Sequence, residues 1–413
     1  MSKGSNTLNQ QTAKPSRSVL FGAAFLMATS AIGPGFLTQT SKFTAQFGTA
    51  LSLVIVLAII MDITAQMNIW SVVSVSGMRA QDVANKLLPG LGVVIAILVA
   101  IGGLAFNVGN VGGVALGFNA MFGLNEKIGA VIAGCLGIII FVNKKTIMDK
   151  VATVLAAVIL LTVATVAVIS KPPVGEAVSS LAQLGNLGNK DLLLALTTLL
   201  GGSCGGYIAF SGAHRLLDAG ISGPENISHV RRSVLQGCGT SGLVRILLFL
   251  AVLGTCAMAS GNAATIIAAG NPAAEAFRLA AGNIGYRLFG LCLFSAGVSS
   301  VVGAAYTSVS FLKTLHPFIA KYERQFVIGF ITFSTVMMVV LGNAAALLII
   351  AGAFNGLILP VTLGVMLIAG HNKRIVGESY HHPLWMTVLG AVVTLVALYA
   401  GIKAVPGIMQ LFQ

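Results

Sequence analysis

Charge is scarce in this sequence. Eleven acidic and 24 basic side chains among 413 residues leave only 8% of positions charged, whereas a soluble globular domain carries charge at about a quarter of its positions. A soluble fold is thereby excluded. Long polar stretches are missing as well. The connecting segments run to only about 20 residues, too short for an independently folded unit, so any function must lie within the apolar part of the chain. Cysteine is sparse too. Cys135, Cys204, Cys238, Cys256 and Cys292 all fall inside apolar runs, with neither the spacing of a metal site nor a disulfide framework, and read as small buried hydrophobes, Cys204 set aside. No combination of nucleophile, base and oxyanion donors and no cofactor motif stands out, which argues against an enzyme and gives no organic cofactor or resident metal.

Hydrophobic residues make up 56% of the chain. They gather in runs long enough to cross about 30 Å of hydrocarbon, and we read eleven: 18–47, 49–76, 91–122, 128–143, 151–170, 190–216, 230–260, 283–312, 325–342, 343–370 and 383–402. This is an all-α polytopic membrane protein, with a polar, disordered cytoplasmic tail at 1–17 and a single transmembrane domain at 18–413. The first run is too long for a signal-peptide core and lacks a convincing cleavage site. A net charge of +13 could suggest nucleic acid, but the basic residues sit in alternate loops. Lys3, Lys14, Arg17, Arg79, Lys86, Lys144, Lys145, Lys150, Arg215, Arg231, Arg232, Lys313, Lys321, Arg324, Lys373 and Arg374 share one side, and the other holds Lys127, Lys171, Lys190, Arg278 and Lys403. That bias is the positive-inside signal, predicting a multi-pass protein of the plasma (inner) membrane with its amino terminus cytoplasmic and its carboxyl terminus outside. The expected partners are the bilayer and a small molecule, not nucleic acid.

Two of the runs are broken. Gly33-Pro34-Gly35-Phe36 interrupts the first, because proline removes a helical N–H and flanking glycines favour unwinding. Gly201-Gly202-Ser203-Cys204-Gly205-Gly206-Tyr207 interrupts the sixth, where each glycine costs about 1 kcal/mol relative to alanine in a continuous helix. In lipid, freed backbone groups are tolerated only when buried in protein or lining a cavity. Matching breaks five spans apart point to an inverted-repeat secondary transporter with a midplane site, repeat one at about 18–170, repeat two at about 190–370 and an extra helix at about 383–402. The half-helix amino termini suit an anion and the freed carbonyls a cation, so side chains must settle the sign of the substrate.

Candidate side chains are few. Asp62 is the acid placed deep in an apolar run, a proton carrier or a structural acid bonded to a neighbouring helix. Asn107 and Asn110 share one face of the third span, bonding across helices or walling a polar cavity. Arg245 and Lys42 could attract an anion, or could snorkel or pair with a buried acid. Ser295, Ser299 and Ser300 could join freed carbonyls around sodium or serve in helix packing.

These motifs resemble those of the NRAMP (natural resistance-associated macrophage protein) transporters, proton-coupled carriers of divalent transition metals with the leucine-transporter (APC-type) fold of 5+5 inverted repeats. Gly22 to Gly48, Asn107 to Leu124, Gly201 to Tyr207, Ser295 to Gly303 and Leu359-Pro360 carry the likeness. The departures are as informative. The family's first break reads Asp-Pro-Gly-Asn with both polar side chains on the metal; Gly33 and Phe36 stand at those positions here. A methionine ligand and a histidine of the sixth break correspond to Gly205 and Tyr207, and the acidic pair of the third span to Asn107 and Asn110. The chain thus resembles a divergent prokaryotic-type member without the metal-binding motif. A dehydrated divalent cation needs carboxylates or softer His, Met or Cys ligands, and carbonyls with Cys204 are a poor substitute. The expectation is a small organic solute, a carboxylate, held by Gly33, Pro34, Gly35, Phe36, Cys204, Gly205, Gly206, Tyr207, Asn107 and Asn110. The coupling ion is sodium at Ser299 and Ser300 or a proton through Asp62. A divalent metal carrier and a non-transporting solute sensor are the alternatives.

Overall fold

A computed structural model of the chain describes residues 22, 24, 27–142 and 145–410, without the side chains of 145–156, 186 and 408. The tail at 1–17, the start of the first span at 18, and Lys144 lie outside the described residues. We label the principal helices α1 (Pro34–Phe47), α2 (Leu51–Ser76), α3 (Leu91–Phe122), α4 (Glu126–Val142), α5 (Lys145–Ile169), α6 (Lys190–Cys204), α7 (Ile208–Asp218), α8 (Ile227–Met258), α9 (Pro272–Leu312), α10 (Glu323–Leu341), α11 (Ala344–Gly370) and α12 (Leu384–Gln410).

Glycine sets several of these ends. Gly77 and Gly123 close α2 and α3 in the left-handed region, where a residue without Cβ pays no steric penalty. Between the ninth and tenth runs, Gly342 has φ 63° and the Asn343 side chain accepts from the Ala346 N–H at 3.2 Å, a capped start that divides one long apolar stretch into α10 and α11. Within α9, Ala281 and Gly282 leave helical geometry, so the stretch from Pro272 to Ala280 is a separate short helix leading into the eighth span.

Among the described residues, eight helical stretches are long and apolar enough to cross a membrane, nine if Ala157–Ile169 and Val174–Ala182, bent by 106°, form one span. The difference from eleven has local causes. The second half of the first span runs on into the second as Pro34–Ser76; α4 has 17 residues; and of the fifth only Ala157–Ile169 is described with its side chains, ahead of a bend at Pro172-Pro173, which cannot continue a helix.

Small residues let the helices approach closely. A Cβ on Gly113 of α3 would overlap the Pro34 ring, and one on Gly201 of α6 would overlap the Gly352 carbonyl of α11. The Trp70 indole of α2 lies over Gly212 of α7 and donates to the Ala209 carbonyl at 2.9 Å.

At one end of the bundle, His382 accepts from the Tyr380 hydroxyl at Nδ1 (3.0 Å) and donates from Nε2 to Asn68 Oδ1 (2.8 Å) on α2. Arg231 of α8 reaches the same tyrosine. Burial, followed by the positive charges of His371 and Arg231, lowers the His382 pKa to about 4. Because the folded state resists protonation of this ring, its stabilising contribution is complete above the ordinary histidine value and is lost as pH falls from about 6.5 towards 4. The thermal midpoint of the detergent-solubilised protein should therefore drop over that window, and His382→Gln should flatten the drop. An identical pH profile in the variant would remove His382 from the account.

Candidate functional site

The two breaks have definite geometry. Ile32 still donates to Ala28 at 2.8 Å, closing the helix before the first break. Gly33 is extended (φ −81°, ψ 175°), and α1 restarts at Pro34 without a side-chain cap. Its first N–H groups are left to the site, with the positive end of a 14-residue helix behind them. On the other side, α6 ends at Cys204, Gly205 is extended, and Gly206 adopts φ 54° before α7 begins. Only glycine takes that conformation without strain.

Around the breaks every assigned residue is buried. Phe36 and Tyr207 are 1% exposed and Cys204 is fully buried. Gly33 faces Ser300 and Asn110: a Cβ there would lie 2.9 Å from Ser300 Oγ and 3.4 Å from Asn110 Oδ1. Gly35 meets the Phe106 ring, which stands edge-on to Tyr207 at 6.1 Å between centroids. The structure thus brings Gly33, Gly35, Asn110, Tyr207 and Ser300 into one neighbourhood. Asn107 is directed elsewhere, donating to Ser334 of α10 at 3.1 Å. Ser299 bonds back to Ser295 and Ala296 of its own helix, whereas Ser300 reaches the Thr29 carbonyl at 3.5 Å.

Arg245 and Asp62, far apart in sequence, meet at the end of α6. The Arg245 guanidinium is 1% exposed and lies 4.3 Å above the centre of the Phe36 ring, a cation–π contact in a dry setting. Snorkelling is thereby excluded. Its Nη1 donates to Ser203 Oγ at 3.4 Å and its Nη2 to the Leu199 carbonyl at 3.3 Å, while Nε has no partner. Asp62 is 4% exposed. Its carboxylate accepts from Gln66 Nε2, and the Cys238 thiol lies 4.0 Å away. Ser203, Cys204 and Arg245 are its other polar neighbours. A guanidinium at the carboxyl end of a half-helix satisfies carbonyls that would otherwise draw in a free cation. Lys42, by contrast, is half-buried on α1 and is not among these partners.

Two buried amides beside the breaks escaped the sequence reading. Gln39 of α1 donates to the Leu348 carbonyl of α11 at 2.7 Å, its Oε1 left unpartnered beside Gly202. Asn355 of α11 donates to Gly102 and Ala351 carbonyls at 3.0 and 2.9 Å and turns an unpartnered Oδ1 toward Gly206. Asn355 lies in an otherwise apolar run and Gln39 among the small polar residues Thr38, Thr40 and Ser41 of the first span; an amide inside a membrane span is a signal that could have marked both as candidates, though not their partners. Among the described residues no three His, Cys, Asp or Glu side chains gather in a way that could hold a metal ion.

Set against known proteins, residues 24–405 match the family model described as natural resistance-associated macrophage protein-like. An uncharacterised membrane protein of Bacillus subtilis (strain 168), YcsG, is 49% identical over 387 residues, 93% of either chain. A variant of the Eremococcus coleocola manganese transporter superposes with a TM-score of 0.76 at 15% identity, over 99% of this chain and 90% of that one. MhsT in complex with L-phenylalanine superposes with a TM-score of 0.69 at 16% identity, over 94% of this chain and 99% of the other. At such identities the likeness of the structures is one of fold.

Proposed function

The chain belongs to the natural resistance-associated macrophage protein-like (NRAMP) family, and from that premise we propose that it is a secondary transporter whose site has exchanged metal binding for a small organic carboxylate. The fold is the leucine-transporter type, in an integral membrane protein of a transporter family. The observation that carries the proposal is the buried Arg245 guanidinium over Phe36. A fixed positive charge at that distance opposes a divalent cation in a medium of low dielectric constant and attracts an anion. The uncapped amino terminus of α1 adds N–H donors for a carboxylate, and Phe36 and Tyr207 furnish apolar walls. In our reading the amino terminus is cytoplasmic, the carboxyl terminus outside, and the first, second, sixth and seventh spans rock against the remainder.

The competing reading takes its cue from the neighbour named as a manganese transporter: a divalent metal held through carbonyls and water. Calorimetric titration of the purified protein with manganese and with small carboxylates separates the two. Heat from a carboxylate and none from manganese is expected, and tight manganese binding would sink the proposal. The substitutions Gly33→Asp and Phe36→Asn together should reduce carboxylate uptake at least about tenfold, because Ser300 already occupies the space beside Gly33 and Arg245 loses the ring beneath it. Unimpaired uptake by that variant would move the site away from the first break.

A further inference from the structure

The pairing of Asp62 with Arg245 has a direct implication for energy coupling. We propose that the two residues form an exchange unit: the substrate's carboxylate replaces Asp62 as the counter-charge of Arg245, and Asp62 takes one proton from the aqueous phase as it is released, so that one proton accompanies each monocarboxylate. This rests on the carboxylate reading above and adds to it the coupling ion, the stoichiometry and the residue that carries the proton.

The polar contacts of the two residues permit the exchange. Asp62 and Arg245 are not among the direct ion pairs of the described residues; they are joined through Ser203, which accepts from Arg245 and borders Asp62. A guanidinium has five N–H donors, and here the neutral Ser203 hydroxyl and Leu199 carbonyl take one each from Nη1 and Nη2. The unpartnered Nε lies on the side-on edge of the guanidinium, the edge on which Nε and Nη2 receive a carboxylate in two parallel hydrogen bonds. That edge belongs to a buried side chain stacked on Phe36, the third residue of α1, whose uncapped amino terminus offers further N–H groups. The unpartnered Nε and the uncapped helix end are independent observations that call for the same ligand chemistry.

Charge balance supplies the proton. Two ionised carboxylates around a single guanidinium would leave a net negative charge inside the protein, which is strongly disfavoured in a low-dielectric interior. The proton restores neutrality without breaking a covalent bond, and it leaves again once the substrate has departed and Asp62 regains Arg245. The titratable and charged groups facing Asp62 are Arg245 and Cys238 from α8 and Cys204 from α6, with the neutral amide of Gln66 on its own helix. Arg245 is thus the charge available to hold Asp62 ionised.

Proteoliposomes of the full chain test this with labelled lactate and pyruvate as probes, net of protein-free vesicles. An acid-outside pH gradient should drive accumulation, an internal pH dye should report one proton per labelled carboxylate, and an imposed potassium–valinomycin potential should leave the initial rate unchanged. Asp62→Asn should lose accumulation under the gradient yet keep the exchange of labelled for unlabelled carboxylate, and Asp62→Glu should restore accumulation. Uptake that follows the potential, a sodium requirement, or gradient-driven accumulation by Asp62→Asn would overturn the exchange unit while leaving carboxylate transport standing. Absence of both uptake and calorimetric binding of the carboxylates would overturn the parent reading and this one with it. The wild-type potential and stoichiometry measurements decide the matter even if the variants fail to fold.

Discussion

Arg245→Ala should lower the stability of the protein by about 3–5 kcal/mol, the usual cost of removing one member of a buried charge pair. Three losses combine. Asp62 loses the charge that balances its carboxylate and must stay ionised at a cost or take up a proton; Ser203 and the Leu199 carbonyl each lose one donor; and the face of Phe36 is left against a void. If the destabilisation arises chiefly from the stranded acid, the double variant Asp62→Asn with Arg245→Ala should be more stable than Arg245→Ala alone, with an interaction of at least about 1 kcal/mol in the cycle. Unfolding midpoints of the four proteins in detergent give the cycle directly. Additive losses would mean that the two charges do not sense each other and would remove the basis for treating them as a unit.

Gly201→Val should be nearly as damaging, by about 3 kcal/mol, the upper part of the range for overpacking. The space that its side chain would enter holds the carbonyl oxygen of Gly352 and the backbone nitrogen of Gly356. Backbone atoms inside a helix cannot rotate away as a flexible side chain can, so α6 would have to separate from α11 along its whole length. Gly239→Ala is the control: this glycine is helical and exposed, with no heavy atom near the added methyl, so alanine should be neutral or stabilising by up to about 1 kcal/mol. Folded yield and melting temperature of the two variants report the contrast. Equal behaviour would deny that the α6–α11 contact is backbone to backbone.

The legibility of the chain divides along a physical line. Helix breaks, caps and spans follow from interactions within a few residues, and Gly33-Pro34-Gly35 or Gly342-Asn343 announces itself wherever it lies. The family resemblance and the fold it implied were carried by such local signals, and the family match and the superpositions agree with them. Pairings between distant segments have no comparable local mark. Nothing adjacent to Arg245 says that it will lie on Phe36, and nothing adjacent to Lys42, an equally plausible cation in the sequence, says that it will not. Asn107 and Asn110 look equivalent at a spacing of three, yet Asn107 is claimed by Ser334 and Asn110 by the first break. Gln39 and Asn355 could be marked as amides inside spans, but the carbonyls and glycines they face lie on distant segments.

The two halves of the sixth span are fastened to different helices. Trp70 fastens α7 to α2 through its indole N–H and its ring, while Gly201 seats α6 on the backbone of α11. Any relative movement of those two helices is therefore passed to the chain between the two anchorages. It falls on Gly205 and Gly206, a pair with the torsional freedom to absorb it, placed beside the Ser203–Arg245 contact. The torsionally free pair and the buried guanidinium are thus a few bonds apart, so a turn of the one cannot leave the other undisturbed.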